Sequence, residues 1–118
     1  MKAKDTNKMD TKNEILKNSY AIRLSSSENG KEIARAYVYI LTNSLHQEPF
    51  GFLEDVFVEE KYRGGGVGTE IIKQAIKAAK EAGCYKLIGT SRNERPKVHS
   101  LYEKIGFKKY GVEFRMDF

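Results

Sequence analysis

A chain of 118 residues has room for one packed core and little space for a second domain. It contains no run of about 18 apolar residues, which excludes a hydrophobic membrane-spanning helix. The net charge of +5, from 21 Lys and Arg against 16 Asp and Glu, can steer an anionic ligand. It comes without the lysine stripe interleaved with aromatics that single-strand binders use, so nucleic acid is disfavoured and a solvated basic face is expected.

Met1 to Ser19 is polar apart from Ile15 and Leu16, and reads as a flexible tail or a short, weakly docked helix. It has no apolar core of the kind a secretory leader carries. The single Cys84 cannot form an intrachain disulfide, which fits a reducing, cytoplasmic setting. The spacing of Tyr20, Ile22 and Leu24 predicts a strand. Glu28-Asn29-Gly30-Lys31 carries the Asn-Gly turn signal, and Ile33 to Leu41 gives a longer strand, so the pair is a hairpin. Asn43 to Pro49 is a polar loop with His46, and a third strand runs to about Val58.

The stretch from Phe52 to Gly83 organises the rest: an apolar strand, a charged turn, a glycine cluster and an amphipathic helix. Val67, Ile71, Ile72, Ala75, Ile76, Ala79 and Ala82 recur at helical spacing, with Gly83 where a C-terminal capping glycine belongs. The glycines of Arg63-Gly64-Gly65-Gly66-Val67-Gly68-Thr69 therefore open a helix, where unpaired amides and the positive end of the helix dipole converge. Such a turn binds phosphate through its backbone. It is not a Walker A loop, because no lysine follows Gly68, and it lacks the final glycine of the dinucleotide fingerprint.

Tyr85 to Thr90 reads as a buried strand and Ser91 to Arg95 as a loop. Pro96 opens a second helix whose Val98, Leu101, Tyr102 and Ile105 share a face up to Gly106. Phe107 to Tyr110 reads as a strand. Val112, Phe114, Met116 and Phe118 alternate with Glu113, Arg115 and Asp117, the pattern of a half-buried antiparallel strand. The fold class is α+β, a mixed and mostly antiparallel sheet with two main helices. A polar tail (1–19) precedes one domain (20–118).

Three blocks, Leu53-Glu54-Asp55-Val56-Phe57-Val58, Tyr62-Arg63-Gly64-Gly65-Gly66-Val67-Gly68 and Leu101-Tyr102-Glu103-Lys104-Ile105-Gly106-Phe107, follow one another in an order and at a spacing that resembles the GNAT superfamily of acetyl-CoA-dependent N-acetyltransferases. The glycine turn matches the pattern Arg/Gln-x-x-Gly-x-Gly/Ala, and the resemblance runs from about Tyr20 to Phe118. The first block is also similar to that of glucosamine-phosphate acetyltransferases, over too short a stretch to assign a substrate. The resemblance implies that Arg63 to Thr69 grip the pyrophosphate of acetyl-CoA. It also implies that Val56, Phe57 and Val58 meet the pantetheine by main chain, with one amide facing the acetyl oxygen.

The reaction it implies is direct transfer to a primary amine in a ternary complex, the acceptor being a small amine, an amino sugar, a peptide or a protein lysine. Glu54 is the first candidate for the base and Asp55 the second, since neighbouring strand residues point to opposite faces. Tyr102 aligns with the tyrosine that protonates the leaving thiolate in many such enzymes. The alternative is a CoA-binding regulatory module without turnover.

Two departures stand out. The strand and two helices that usually precede the hairpin are replaced by about twenty polar residues, so the acceptor site is either open or completed by a second subunit in a homodimer. Where the family commonly has an asparagine, seven residues before the tyrosine, this chain has Arg95, with Asn93 two residues out of register. His46 and His99 stand far apart with no cysteine cluster, so no metal site is expected.

Overall fold

The computed structural model describes residues 9–118. Its elements are β1 (Tyr20–Glu28), β2 (Lys31–Leu41), β3 (Phe50–Val58), a 3-10 turn (Glu60–Tyr62), α1 (Val67–Glu81), β4 (Leu87–Gly89) and α2 (Pro96–Ile105). The four strands form one sheet in the order β1-β2-β3-β4. The first two pairings are antiparallel, and β3 pairs with β4 in parallel across α1. The mixed sheet and two helices are those expected.

The hairpin turns at Asn29 and Gly30, with φ of 51° and 78°. Two successive positive φ values are those of the type I′ turn, whose twist matches that of the flanking strands. The α1 helix ends as its glycine predicts. The amide of Gly83, at φ 85°, donates to Lys80 O, and that of Cys84 to Ala79 O. These two bonds are a Schellman closure, and they tuck Cys84 against the core.

One face of the sheet carries Ala36, Val38, Ile40 and Leu53, and against it α1 lays Ile71, Ile72, Ala75 and Ala79; all eight are buried. Gly51 is a packing glycine. A Cβ there would come within 2.8 Å of the Leu87 side chain, so its bare α-carbon lets β4 lie close to β3. The opposite face presents Arg23, Tyr37, Glu54, Tyr39 and Phe52 in register. Across it the Arg23 guanidinium pairs with both oxygens of Glu32, at 2.7 and 2.9 Å.

Of the two readings of the tail, the helix is absent over residues 9–19, which hold no regular structure and leave Ile15 and Leu16 exposed; residues 1–8 of the expected tail lie outside the described residues. Two expectations need correction. β4 is three residues long and half-buried rather than a buried strand over 85–90, because Tyr85 and Lys86 face solvent and pairing to β3 ends at Leu53↔Gly89. The two strands expected over 107–118 do not form: that segment is an extended arm without ladder pairing, and residues 110–118 are exposed throughout. The alternation is present, but a cavity separates the arm from the free edge of β4, so the segment makes none of the main-chain bonds among the described residues that turn an alternating pattern into a strand.

Candidate active site

The site begins where β3 and β4 part. β4 follows β3 only from Gly51 to Leu53, whereas β3 continues to Val58. At the parting, Asp55 adopts φ 52°, and the register with β2 slips between Arg35 and Tyr37. Two residues of β3 there oppose one of β2, a bulge that re-aims the strand.

Beyond the bulge the direction of the main chain can be read from the ladder. The amide of Glu59 donates to Ile33 O at 2.8 Å, and the register runs Ala34↔Val58 and Arg35↔Phe57. Antiparallel residues alternate between facing the partner and facing away. Phe57 therefore turns its amide and carbonyl to β2, while Val58 and Val56 turn theirs to the open side. The side chain of Arg63 agrees: its Nε donates to Val58 O at 2.8 Å.

That bond ties the glycine turn to the strand. Gly64 and Gly66 take φ 83° and 89°, which only glycine adopts without strain. Gly65 and Gly68 have ordinary φ, and a Cβ on either would meet nothing closer than 3.6 Å, so they leave open space beside the backbone. Gly66 caps α1, and the first intrahelical bond runs from Glu70 N to Gly66 O. The amides of Val67, Gly68 and Thr69 precede that bond, as an anion cradle requires.

A cleft of about 540 Å³ joins these parts. Val56, Phe57, Val58, Arg63, Gly64 and Gly68 line one side, and Tyr102 the other. Sequence reasoning missed four of its walls: Ile72, Lys97, Val98 and Leu101. Val98 and Leu101 share the helical face of Tyr102, which was the available signal. Lys97 projects from the first turn of α2 and adds a cation near the glycine turn.

Glu54 sits on β3 between Phe52 and the cleft-lining Val56, opposite Tyr37 of β2. Its carboxyl is held above the usual range by partial burial, then by the charges of Asp55 and of Glu113 on the C-terminal arm; a bond from the Asp55 amide opposes this. Tyr102 is raised by burial and then by the charge of Glu54; Tyr102 lines the cleft, whereas Glu54 stands on β3 just before its lining begins at Val56. Its ring rests on β4, where a Cβ at Gly89 would lie 3.3 Å from Cε2, and meets the Phe107 ring in a tilted contact at 5.2 Å between centroids. Asp55 occupies the bulge and is exposed.

The remaining candidates fall away from the cleft. His99 Nε2 meets Arg92 O at 2.8 Å, and His46 packs on the Tyr85 ring at 5.1 Å. Among the described residues no cluster of metal-ligating side chains forms. Arg95 stands at the start of α2, exposed and without a side-chain capping bond. Cys84 is half-buried and its thiol is pushed up by that burial.

A splayed sheet, with a glycine turn opening a helix beside the gap, is the frame shared with the acetyltransferases this chain resembles. The chain belongs to the acetyltransferase (GNAT) family, whose family model matches residues 4–107. It is 38% identical over 68 residues to a probable glucosamine 6-phosphate N-acetyltransferase 2 of Oryza sativa subsp. japonica, covering 58% of this chain and 39% of that protein. It is 30% identical over 101 residues to an aminoglycoside N(6')-acetyltransferase type 1 of Stenotrophomonas maltophilia, covering 81% of this chain and 66% of that one. Among solved structures, a putative acetyltransferase from Agrobacterium tumefaciens str. C58 superposes with a TM-score of 0.77 at 33% identity, over 82% of this chain and 68% of that one. The chain thus spans less than two thirds of the length of the two curated relatives.

Proposed function

We propose that this domain moves the acetyl group of acetyl-CoA to a primary amine by direct attack within a ternary complex, and that the acceptor is an amino sugar. The observation that carries this is the meeting, around one cleft at the splay of the sheet, of a helix-opening glycine turn, a free strand edge and Tyr102, with Glu54 on the same strand two residues before Val56.

The amides of Val67 to Thr69, with Arg63 and Lys97 nearby, suit the diphosphate. The outward main chain of Val56 and the amide of Val58 suit the pantetheine; Val58 O already accepts from Arg63, so that carbonyl is spent on positioning the turn. One outward amide also stabilises charge on the acetyl oxygen, a contribution of a few kcal/mol (roughly a hundredfold) when a donor is aimed in advance.

Glu54 accepts the proton of the attacking ammonium, which its raised carboxyl pKa favours over an ordinary surface glutamate. The nitrogen–carbon bond forms, the carbon–sulfur bond breaks, and Tyr102 gives its phenolic proton to the departing thiolate. Asp55 acts on the charge of Glu54 rather than as the base. Cys84, packed against the core with a raised thiol pKa, is a poor nucleophile, which favours direct transfer over an acetyl-cysteine route. That thiol also suits a reducing, cytoplasmic setting.

The amino-sugar acceptor is supported by the relatives named as glucosamine 6-phosphate and aminoglycoside acetyltransferases. The test is thiol release from acetyl-CoA in the presence of glucosamine 6-phosphate, an aminoglycoside or a short peptide. Acceptor-dependent release with a sugar amine is the expected result. Tight CoA binding with no release for any amine would instead establish a non-catalytic CoA-binding module.

A further inference from the structure

The two faces of the sheet are finished differently. α1 and the packed residues of α2 lie on the face of Ala36, Val38, Ile40 and Leu53. The other face carries no helix among the described residues, yet its side chains are aromatic and ordered. Two rows cross it at right angles to the strands: Arg23, Tyr37 and Glu54, and beside them Ala21, Tyr39 and Phe52. The Tyr37 and Tyr39 rings are nearly parallel, 14° apart with centroids at 6.3 Å. Tyr39 is 37% exposed, and its neighbour on β1 is Ala21, whose methyl leaves that flank of the ring open.

These rings are held in place by a polar clamp. Arg23 Nε donates to the Tyr37 hydroxyl at 3.0 Å, while its two terminal nitrogens donate to both oxygens of Glu32 at 2.7 and 2.9 Å. A bidentate guanidinium–carboxylate pair has little freedom to turn, so the phenol it grips is fixed as well. Holding three long side chains in one geometry on a solvent-facing surface has an entropic cost, which a merely solvated face has no reason to meet.

The rows run into the candidate active site. Neighbouring strands lie about 5 Å apart, so Tyr37 stands one strand spacing from Glu54 and Arg23 two. Phe52, on the same face as Glu54, borders a cavity of about 970 Å³ that reaches Tyr102.

We propose that this face is the extended part of the acceptor site: the amino-bearing ring sits at Glu54, and the next, neutral ring of a saccharide chain lies on Tyr37 and Tyr39. The acceptor is then an oligosaccharide with a terminal amino sugar, and this rests on the amino-sugar reading given above. The chemistry of the face selects the second ring. The C–H face of a pyranose packs on an aromatic ring, and its hydroxyls meet the two phenolic hydroxyls and the Arg23–Glu32 pair at the rim. A second ammonium is not provided for, because Glu32 is spent on Arg23 and the next charge along β2 is the cation of Arg35, over the Phe57 ring at 4.7 Å. A peptide adds by its main chain to a strand edge, whereas Tyr37 and Tyr39 stand on β2, an inner strand.

The probes are glucosamine and a disaccharide of glucosamine linked to N-acetylglucosamine, each with one free amine. Thiol release from acetyl-CoA should give a kcat/KM about tenfold higher for the disaccharide, through KM, as one aromatic contact supplies. Tyr39→Ala should remove most of that ratio, Tyr39→Phe should keep it, and Arg23→Ala should lower it by a smaller factor. Calorimetry with the fully N-acetylated disaccharide, which has no amine to acetylate, reads the face without turnover: it should bind the unsubstituted chain and Tyr39→Phe, but not Tyr39→Ala. If no sugar amine is acetylated while this ligand still binds through Tyr39, the acetyl-transfer reading fails and the saccharide site stands. Equal kcat/KM for the two acceptors, a disaccharide advantage that survives Tyr39→Ala, or no heat with the N-acetylated disaccharide would overturn the proposal. So would nuclear magnetic resonance signals of Tyr37 and Tyr39 that respond to protein concentration and not to saccharide, which would give the face to a second copy of the chain.

Discussion

The half of the molecule built on β2, β3 and α1 and the half built on β4, α2 and the arm differ in where their stability comes from. Among the described residues every fully buried apolar residue, from Ile33 through Ala79, belongs to the first; α2 and β4 contribute none, and residues 110–118 are exposed. The first half carries the glycine turn and the free strand edge, and so holds the cofactor side of the cleft on a finished core. The second carries Tyr102 and Lys97 on elements packed only in part. The glycine-turn side of the cleft thus rests on a buried core, while the flank beside Tyr102 rests on half-buried elements.

Truncation of the core should separate the halves most sharply. Ile71→Ala, at a site 2% exposed, should cost about 2–5 kcal/mol, seen in chemical denaturation as a lowered midpoint that is indifferent to protein concentration. Phe114→Ala, at a site 92% exposed, should leave the midpoint unchanged within about 0.5 kcal/mol. If Phe114→Ala instead lowered the midpoint as a core truncation does, the arm would belong to the core of its own chain.

Next in size is Glu54→Gln, expected to lower turnover by about a hundredfold or more, in the range of a lost general base. Turnover by the unsubstituted chain should rise with pH through the elevated carboxyl pKa, and the variant should lose that limb. The sign for stability is opposite. A carboxyl whose folded pKa is raised takes up its proton more readily in the folded state, so its stabilising effect is present at low pH and is lost as pH climbs through the folded value. At neutral pH the ionised Glu54 is a cost, and Glu54→Gln should melt slightly higher while working far more slowly. A variant that melts lower at neutral pH would show the carboxylate paired and structural.

Gly66→Ala is a smaller lesion on the cofactor side. It places a side chain at φ 89° and should weaken CoA binding about tenfold, with roughly 1 kcal/mol of lost stability, measured by calorimetry and thermal melts. The smallest effect is expected for Lys97→Ala: a rise in the CoA dissociation constant of up to about fivefold at low salt, fading at high salt as an exposed charge must.

Most of the cofactor side was legible in the chain, because it is written in local rules. Asn29-Gly30 dictates its turn, the apolar spacing of Val67 to Ala82 dictates a helix, and Gly64 and Gly66 sit where positive φ is needed. The bulge at Asp55 was not legible. The alternation rule allowed only one of Glu54, the first candidate, and Asp55, the second, to face the cleft, and only the slip in register showed that Glu54 lies opposite Tyr37 while Asp55 takes up the slack. Lys97 was hidden for a related reason, since a lysine in the first turn of a helix reads as solvated until the opposing wall is known. The arm misled in the other direction: Val112 to Phe118 obey the strand pattern in full, but pattern describes what a segment can pair with, and the partner strand is a fact of topology.

The bare α-carbon of Gly89 has a reach beyond packing. The aromatic ring of Tyr102 settles directly on it, so the height of the phenol above the sheet is gauged from below, by β4, and not only by the helix that carries it. An added methyl at 89 would behave as a shim, tilting the hydroxyl by a few tenths of an ångström while leaving every polar group of the pocket in place. The position of the Tyr102 hydroxyl is therefore set in part by a strand residue that has no side chain of its own.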